Sequence, residues 1–223
     1  MSNLWDKLIS LSNDFHQLFD QNFTRYQPEN FDYQFEGWKD YFWYSESVRK
    51  CHLKIIDNRQ SRKLWLMHIN IYPQTDTNLP ILGYDIVAGP NKITGAFFDY
   101  SNCVYHPYQD YMELTTQSLQ WNKPRQLPDW AKEIFSNNMI ACGNIRTDDE
   151  VEQLCSVTRD LTSFYVENIN DNSFKSSFGM TDWHNKYCYN QKLNDQLHKS
   201  IINMGISDRD KDRYVNEVLF QEI

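Results

Sequence analysis

The run Leu64-Trp65-Leu66-Met67-His68-Ile69-Asn70-Ile71-Tyr72, followed by Leu79-Pro80-Ile81-Leu82-Gly83-Tyr84-Asp85-Ile86-Val87-Ala88-Gly89, decides how this chain folds. Each segment is a near-continuous apolar run of strand length, rich in β-branched and aromatic residues, which reads as a buried strand. Each also carries one ionisable side chain in an apolar frame, His68 in the first and Asp85 in the second. Burial of either group would push its pKa toward the neutral form, and a shared proton would couple their titrations. An imidazole and a carboxylate so placed can hold and move protons.

Outward from this pair, residues 31–100 alternate short aromatic and β-branched runs with polar turns such as Asp57-Asn58-Arg59-Gln60 and Ala88-Gly89-Pro90-Asn91. The pattern predicts a meander of antiparallel strands over 33–38, 41–46, 48–56, 64–72, 81–88 and 93–99. Before it, Leu4, Leu8, Leu11, Phe15 and Leu18 fall at helical spacing, and a turn around Pro28-Glu29-Asn30 closes that region. After it, helices are predicted over 108–121 and 128–135, a strand-like piece over 139–144, and a longer helix opened by the capping box Thr147-Asp148-Asp149-Glu150. Further helices are expected over 182–191, 195–204 and 208–220. The sum is an α+β chain, a three-layer α/β/α sandwich whose central antiparallel sheet is flanked by helices, in one domain spanning 1–223.

The formal net charge of −8 argues against general nucleic-acid binding. One local exception is the basic stretch Arg49, Lys50, His52, Lys54, Arg59, Arg62 and Lys63, which reads either as a solvated hairpin rim or as a docking face for an acidic partner. The aromatic share of 15% is high for a chain whose mean hydropathy is −0.71, so the rings either line a large flat ligand or sit half exposed. Cys51, Cys103, Cys142, Cys155 and Cys188 are scattered and odd in number, which favours reduced thiols and a cytoplasmic setting. Neither an apolar leader nor a run long enough to span a bilayer is visible, and the sequon Asn22-Phe23-Thr24 is then idle.

Several chemistries lack their signatures. Gly83, Gly89 and Gly95 do not form a dinucleotide-binding fingerprint, and no P-loop or nucleophile elbow is present. His52, His68, His106, His184 and His198 lack metal-ligand spacing, and the cysteines are too dispersed for an iron–sulfur cluster. Electrons moved by such a chain must come from elsewhere.

The residues Leu79 to Pro90 quoted above resemble a motif of the ferredoxin-dependent bilin reductases, especially the phycocyanobilin-forming branch and its phage-associated, phycoerythrobilin-forming relatives. The similarity continues in family order through Arg49-Lys50-Cys51-His52-Leu53, Met67-His68 with Tyr72-Pro73, Leu127-Pro128-Asp129-Trp130 with Ile134-Phe135-Ser136, Lys186-Tyr187-Cys188, Asn194-Asp195 and Val218-Leu219-Phe220. It covers roughly residues 38–223.

The resemblance implies an α/β/α sandwich that holds biliverdin IXα between the sheet and the C-terminal helices. It implies no metal or organic cofactor of the protein's own, with single electrons delivered by ferredoxin. By resemblance Asp85 is the central catalytic aspartate, His68 the histidine of the phycocyanobilin-forming branch, and Asp195 a second proton donor, against which stands its reading as a helix N-cap. Lys54, Ile86, Thr94 and Asn194 are the expected substrate contacts. The family's propionate-binding arginine has no clear match near Ala141-Cys142-Gly143. Where the phycocyanobilin-forming enzymes have a catalytic glutamate, this chain has Lys54, unless the longer hairpin shifts the match and brings Asp57 nearer. A lysine cannot easily replace a carboxylic acid that donates a proton and then carries negative charge. The expected product is therefore phycoerythrobilin, by way of dihydrobiliverdin in four electrons. Phycocyanobilin formation and a non-catalytic bilin carrier are the alternatives. Ferredoxin would dock on a basic face including Arg49, Lys50, Arg62 and Lys63 of a monomer, in the cytoplasm of a cyanobacterium or a phage-infected host.

Overall fold

A computed structural model describes residues 4–29, 31–170, 175 and 179–223. Asn30 of the expected turn and Met1, Ser2 and Asn3 at the start of the chain lie outside the described residues. Seven strands form one antiparallel sheet in sequential order: β1 (Thr24–Tyr26), β2 (Trp38–Tyr44), β3 (Val48–Asn58), β4 (Leu64–Pro73), β5 (Ile81–Gly89), β6 (Lys92–Ser101) and β7 (Ile140–Cys142). Each central strand pairs with its neighbour in sequence, so short turns suffice and no crossover is needed. The α+β class and the meander agree with the sequence reading. The strand expected over 33–38 does not form, and the strand there is β2, which starts at Trp38 and takes in Lys39 and Asp40.

Helices cover both faces. On one lie α1 (Leu4–Asn22), α2 (Pro107–Thr116) and α4 (Asp148–Asn168), with α3 (Asp129–Lys132) a short turn between them in sequence. Thr147 caps α4 as expected, its hydroxyl accepting from the Glu150 N–H at 3.3 Å. Leu8, Leu11, Phe15 and Phe19 of α1 and Leu154, Leu161 and Tyr165 of α4 pack onto Trp43, Leu53, Met67, Ile69, Tyr84, Ile86 and Phe98. Full burial of each such side chain contributes about 1.5–3 kcal/mol before entropy is counted.

The opposite face meets α5 (Thr181–Lys192), α6 (Asp195–Asn203) and α7 (Asp208–Arg213), with a π-helical continuation over Tyr214–Leu219. The wider π turn leaves carbonyls without helical donors. Lys50 Nζ satisfies those of Val218 at 2.7 Å and Leu219 at 3.3 Å, and the Tyr72 hydroxyl also donates to Leu219. Gly83 on β5 permits close docking of α5, since a methyl group there would sit 2.8 Å from the Tyr187 hydroxyl. Asp99, buried on β6, accepts from the Ser136 N–H at 2.9 Å and from its hydroxyl, which ties the segment after α3 to the sheet. Burial pushes the Asp99 carboxyl up to about 6 despite those donors.

Candidate active site

Strand alternation and register place a row of side chains across the second face. Asp40 on β2 pairs with Lys54 on β3, Lys54 with His68 on β4, His68 with Asp85 on β5, and Asp85 with Phe97 on β6. Directly paired residues point the same way, so the row is continuous on one face. Their sequence neighbours Tyr41, Leu53, Met67, Tyr84 and Phe98 belong to the core of the other face.

His68 Nδ1 and Asp85 Oδ1 are 2.7 Å apart, so the pair expected from the sequence forms. Its two halves are not equally enclosed: the His68 side chain is 6% exposed and that of Asp85 is 42% exposed. The expectation of a fully buried pair therefore holds for His68 alone. Asp85 opens onto the half-buried apolar side chains of Leu66, Val87 and Phe97, which register onto the same face. The Asn70 amide nitrogen lies 2.9 Å from His68 Nε2, and the Asn70 carbonyl accepts from Tyr187 at 3.5 Å. An amide N–H donated to Nε2 leaves Nδ1 as the ring nitrogen that faces Asp85. Protonation of Nε2 requires the Asn70 amide to turn.

A second carboxylate–imidazole pair occupies the start of the row. Asp40 Oδ1 accepts from His52 Nε2 at 2.7 Å and from the Tyr214 hydroxyl. Burial would raise the Asp40 carboxyl, but the His52, Lys54 and Tyr214 interactions override it and the net shift is downward. Burial lowers His52 to about 4, so it is neutral at pH 7 and donates through Nε2, and its Nδ1 has no hydrogen-bond partner among the described residues. Lys54 is 2% exposed, its Nζ 4.9 Å from the Trp38 ring centre and 5.3 Å from that of Tyr214. Burial lowers its pKa, opposed by Asp40 and Asp85. Asp40 and Tyr214 are not site candidates from the sequence, and His52 enters there as part of the basic stretch, not as a catalytic residue. Asp40 falls in the gap between the expected strands 33–38 and 41–46; an acid opposite Lys54 becomes visible only once β2 starts at Trp38.

The other expected site residues are dispersed. The Ile86 side chain lies in the core of the opposite face, so only its main chain borders the Asp85 face. Thr94 donates to the Val87 carbonyl at 2.9 Å, and its own carbonyl accepts from Arg125 Nη2 at 2.6 Å. Asn194 caps α6 by accepting from the Gln196 and Leu197 N–H groups, so the cap is Asn194 and not Asp195. Asp195 is exposed in the first turn of α6, and no hydrogen bond or ion pair among the described residues links it to His68 or Asp85. Asp57 lies on an exposed hairpin paired with Arg59 at 2.7 Å and registers with Trp65 on the other face, which rules out its substitution for Lys54.

Beside Ala141-Cys142-Gly143, where the sequence offers no clear arginine, the structure brings in Arg125 from a distant segment. Its N–H donates to the Ala141 carbonyl at 2.8 Å, and a methyl group on Gly143 would lie 2.5 Å from its Nε, so only glycine admits the guanidinium there. The signal in the sequence is a cation two residues ahead of Leu127-Pro128-Asp129-Trp130.

The expected docking face is corrected in part. Lys50 is buried under the π turn, where burial lowers it to about 7, and Arg49 is half-buried over the Tyr72 ring at 4.5 Å with Nε on His184. A register shift between Val48 and Lys50 breaks the strand alternation and lets both side chains face the Tyr72 ring. Arg62 and Lys63 are exposed, with Arg62 donating to the carbonyls of Asn203 and Met204. Among the described residues no group of three or more His, Cys, Asp and Glu side chains could hold a metal ion. No described helix is long and apolar enough to cross a membrane.

Comparison with known proteins bears on the family and the fold. The family model for ferredoxin-dependent bilin reductase matches residues 33–221. A phycocyanobilin:ferredoxin oxidoreductase from Synechococcus sp. (strain CC9605) is 29% identical over 189 residues, covering 78% of this chain and 71% of its own. That of Prochlorococcus marinus (strain MIT 9313) is 29% identical over 185 residues, covering 78% and 67%. Among solved structures, one of PcyX superposes with a TM-score of 0.70 at 20% identity, over 97% of this chain and 99% of that one. Phytochromobilin synthase from tomato in complex with biliverdin gives 0.70 at 14% identity, over 97% and 82%. The chain belongs to the ferredoxin-dependent bilin reductase family and is an oxidoreductase.

Proposed function

We propose that this protein reduces biliverdin IXα to phycoerythrobilin, through dihydrobiliverdin, with four electrons from ferredoxin. The observation that carries the reading is the His68–Asp85 hydrogen bond at 2.7 Å, with Asp85 open beside the half-buried apolar side chains of Leu66, Val87 and Phe97. Each two-electron reduction consumes two electrons, one per reduced ferredoxin, and two protons. An electron reaching the tetrapyrrole makes it basic, and the Asp85–His68 couple supplies the proton. Asp195 at the start of α6 is the proposed second donor. Arg125, Thr94, Asn194 and the Ile86 main chain are proposed to border the bilin, with the Arg125 guanidinium toward a propionate. Arg62 and Lys63 remain candidates for contact with an acidic ferredoxin, in a monomeric cytoplasmic enzyme.

Lys54 supports the choice of product. It occupies the row next to His68, where an acid would serve D-ring vinyl reduction, and an ammonium flanked by aromatic rings does not replace that acid. The names of the curated relatives favour a second reading, phycocyanobilin formation. Anaerobic incubation with biliverdin and reduced ferredoxin, followed by chromatography of the pigment, separates the two. Phycoerythrobilin is expected, a phycocyanobilin peak would overturn the role given to Lys54, and tight binding without turnover would show a carrier.

A further inference from the structure

The Asp40–His52 pair takes no part in the chemistry proposed above, yet its partners are closely arranged. Asp40 is held by two donors, and one of them, Tyr214, also presents its ring to Lys54. A buried ammonium requires compensation by charge or by oriented dipoles and π faces. Among the described residues no carboxylate forms an ion pair with Lys54, so its compensation is the two rings at close range and the fields of Asp40 and Asp85 beyond them. One carboxylate thus fixes both the ring and much of the field that hold this cation.

We propose that Asp40 is a positioning residue: with His52 and Tyr214 it keeps Lys54 as a fixed cation beside His68, where it stabilises the negative charge that an arriving electron places on the substrate. The use of the cation rests on the bilin reading, whereas its existence does not. The balance of each step is unchanged: one electron enters the bilin, one proton follows from the Asp85–His68 couple, and Lys54 keeps all its protons. The ammonium acts through its field alone. The groups that face it are Asp40 and the Trp38 ring from β2, His52 from its own strand, His68 from β4, Asp85 from β5 and Tyr214 from the C-terminal turn.

The first test needs no ligand. The side-chain NMR signal of Lys54, assigned by its loss in Lys54→Met, is titrated in the ligand-free protein. Asp40→Asn removes a charge that favours the ammonium, so the midpoint must move to lower pH; an unmoved midpoint overturns the proposal. Should that variant fail to fold, Tyr214→Phe loosens the same carboxylate and is expected to move the midpoint in the same direction, and an unmoved midpoint there overturns the proposal equally. The second test reads the single-turnover rate of bilin reduction against pH. Its alkaline limb is expected to shift to lower pH in Asp40→Asn and to be absent in Lys54→Met, whose rate falls by about tenfold. A loss equal at every pH, with the limb in place, would show a merely structural role. If the unaltered protein leaves biliverdin unchanged, the bilin reading fails, and the Lys54 titration still decides the role of Asp40.

Discussion

Ile86 and Asp85 are neighbours on one strand and belong to different halves of the molecule. The face that holds Ile86 is apolar and ring-packed, with Phe15, Tyr84 and Phe98 stacked edge to face between α1 and the sheet. The face that holds Asp85 sets Asp40, Lys54, His68 and Asp85 in register across β2 to β5 and leaves part of its apolar floor half exposed. A sheet with one silent face can afford ionisable groups on the other, because the stability they cost is supplied a strand's thickness away. The largest effect that would test this division is Asp85→Asn. Loss of the proton donor should lower the rate of bilin reduction by roughly 10²–10⁴ while biliverdin affinity, followed by absorbance, stays within a few fold. Equal losses in both would make Asp85 a binding residue and erase the contrast.

One residue on, Ile86→Ala should do the reverse. Truncation of a side chain buried between strands and helices costs about 2–5 kcal/mol of stability, read from denaturant unfolding, while the product mixture made by the folded fraction stays the same. A changed mixture would mean that the Ile86 side chain reaches the ligand, contrary to its place in the opposite core.

Legibility follows the same division. The central strands are readable because β4 and β5 are apolar on both sides of the sheet and long enough to dominate any local signal, and α4 because Thr147 caps it, although the Glu150 carboxylate turns to the Asn122 N–H and does not complete the expected box. The His68–Asp85 pair is visible as two ionisable groups in apolar runs, although its openness is not, since exposure depends on what the helices leave uncovered. The start of β2 is hidden because Phe35, Gly37 and Trp38 mimic a strand end, and the whole Asp40 network is hidden with it. Lys50 shows the limit most plainly. A cation between Arg49 and Cys51 reads as surface, and only the π turn over Tyr214–Leu219, which no sequence periodicity announces, gives its ammonium buried acceptors.

The ionisable face should also reveal itself by its response to acid. His52 is lowered to about 4 and His184 to about 3, in both cases first by burial, whereas the unfolded chain titrates near 6.5. Between these values the unfolded state binds protons that the folded state refuses, so stability is full above about pH 6.5 and falls as pH drops toward 4. His52 alone contributes on the order of 2–3 kcal/mol of this loss. Thermal unfolding measured between pH 7.5 and 4.5 should show the decline, and His52→Gln, which can still donate to Asp40, should make it shallower, with His184 supplying the rest. An undiminished slope in that variant would move the acid sensitivity off His52.

The smallest effect concerns how the ionisable face is held shut. Arg62, on the turn between β3 and β4, donates from Nη1 to the Asn203 carbonyl and from Nη2 to that of Met204, at the C-terminal end of α6. A guanidinium there satisfies carbonyls that the helix leaves without donors and lies favourably against the negative end of its dipole. The contact is exposed to solvent, so its net worth is small. Arg62→Ala should lower global stability by no more than about 1 kcal/mol, within reach of denaturant unfolding but not of a change in fold. Hydrogen exchange should be more sensitive: amides of α6 should exchange faster in the variant while those of α1 and α4, on the silent face, keep their rates. Uniform acceleration in all of these helices would mean that Arg62 supports the whole sheet and not the one helix it touches.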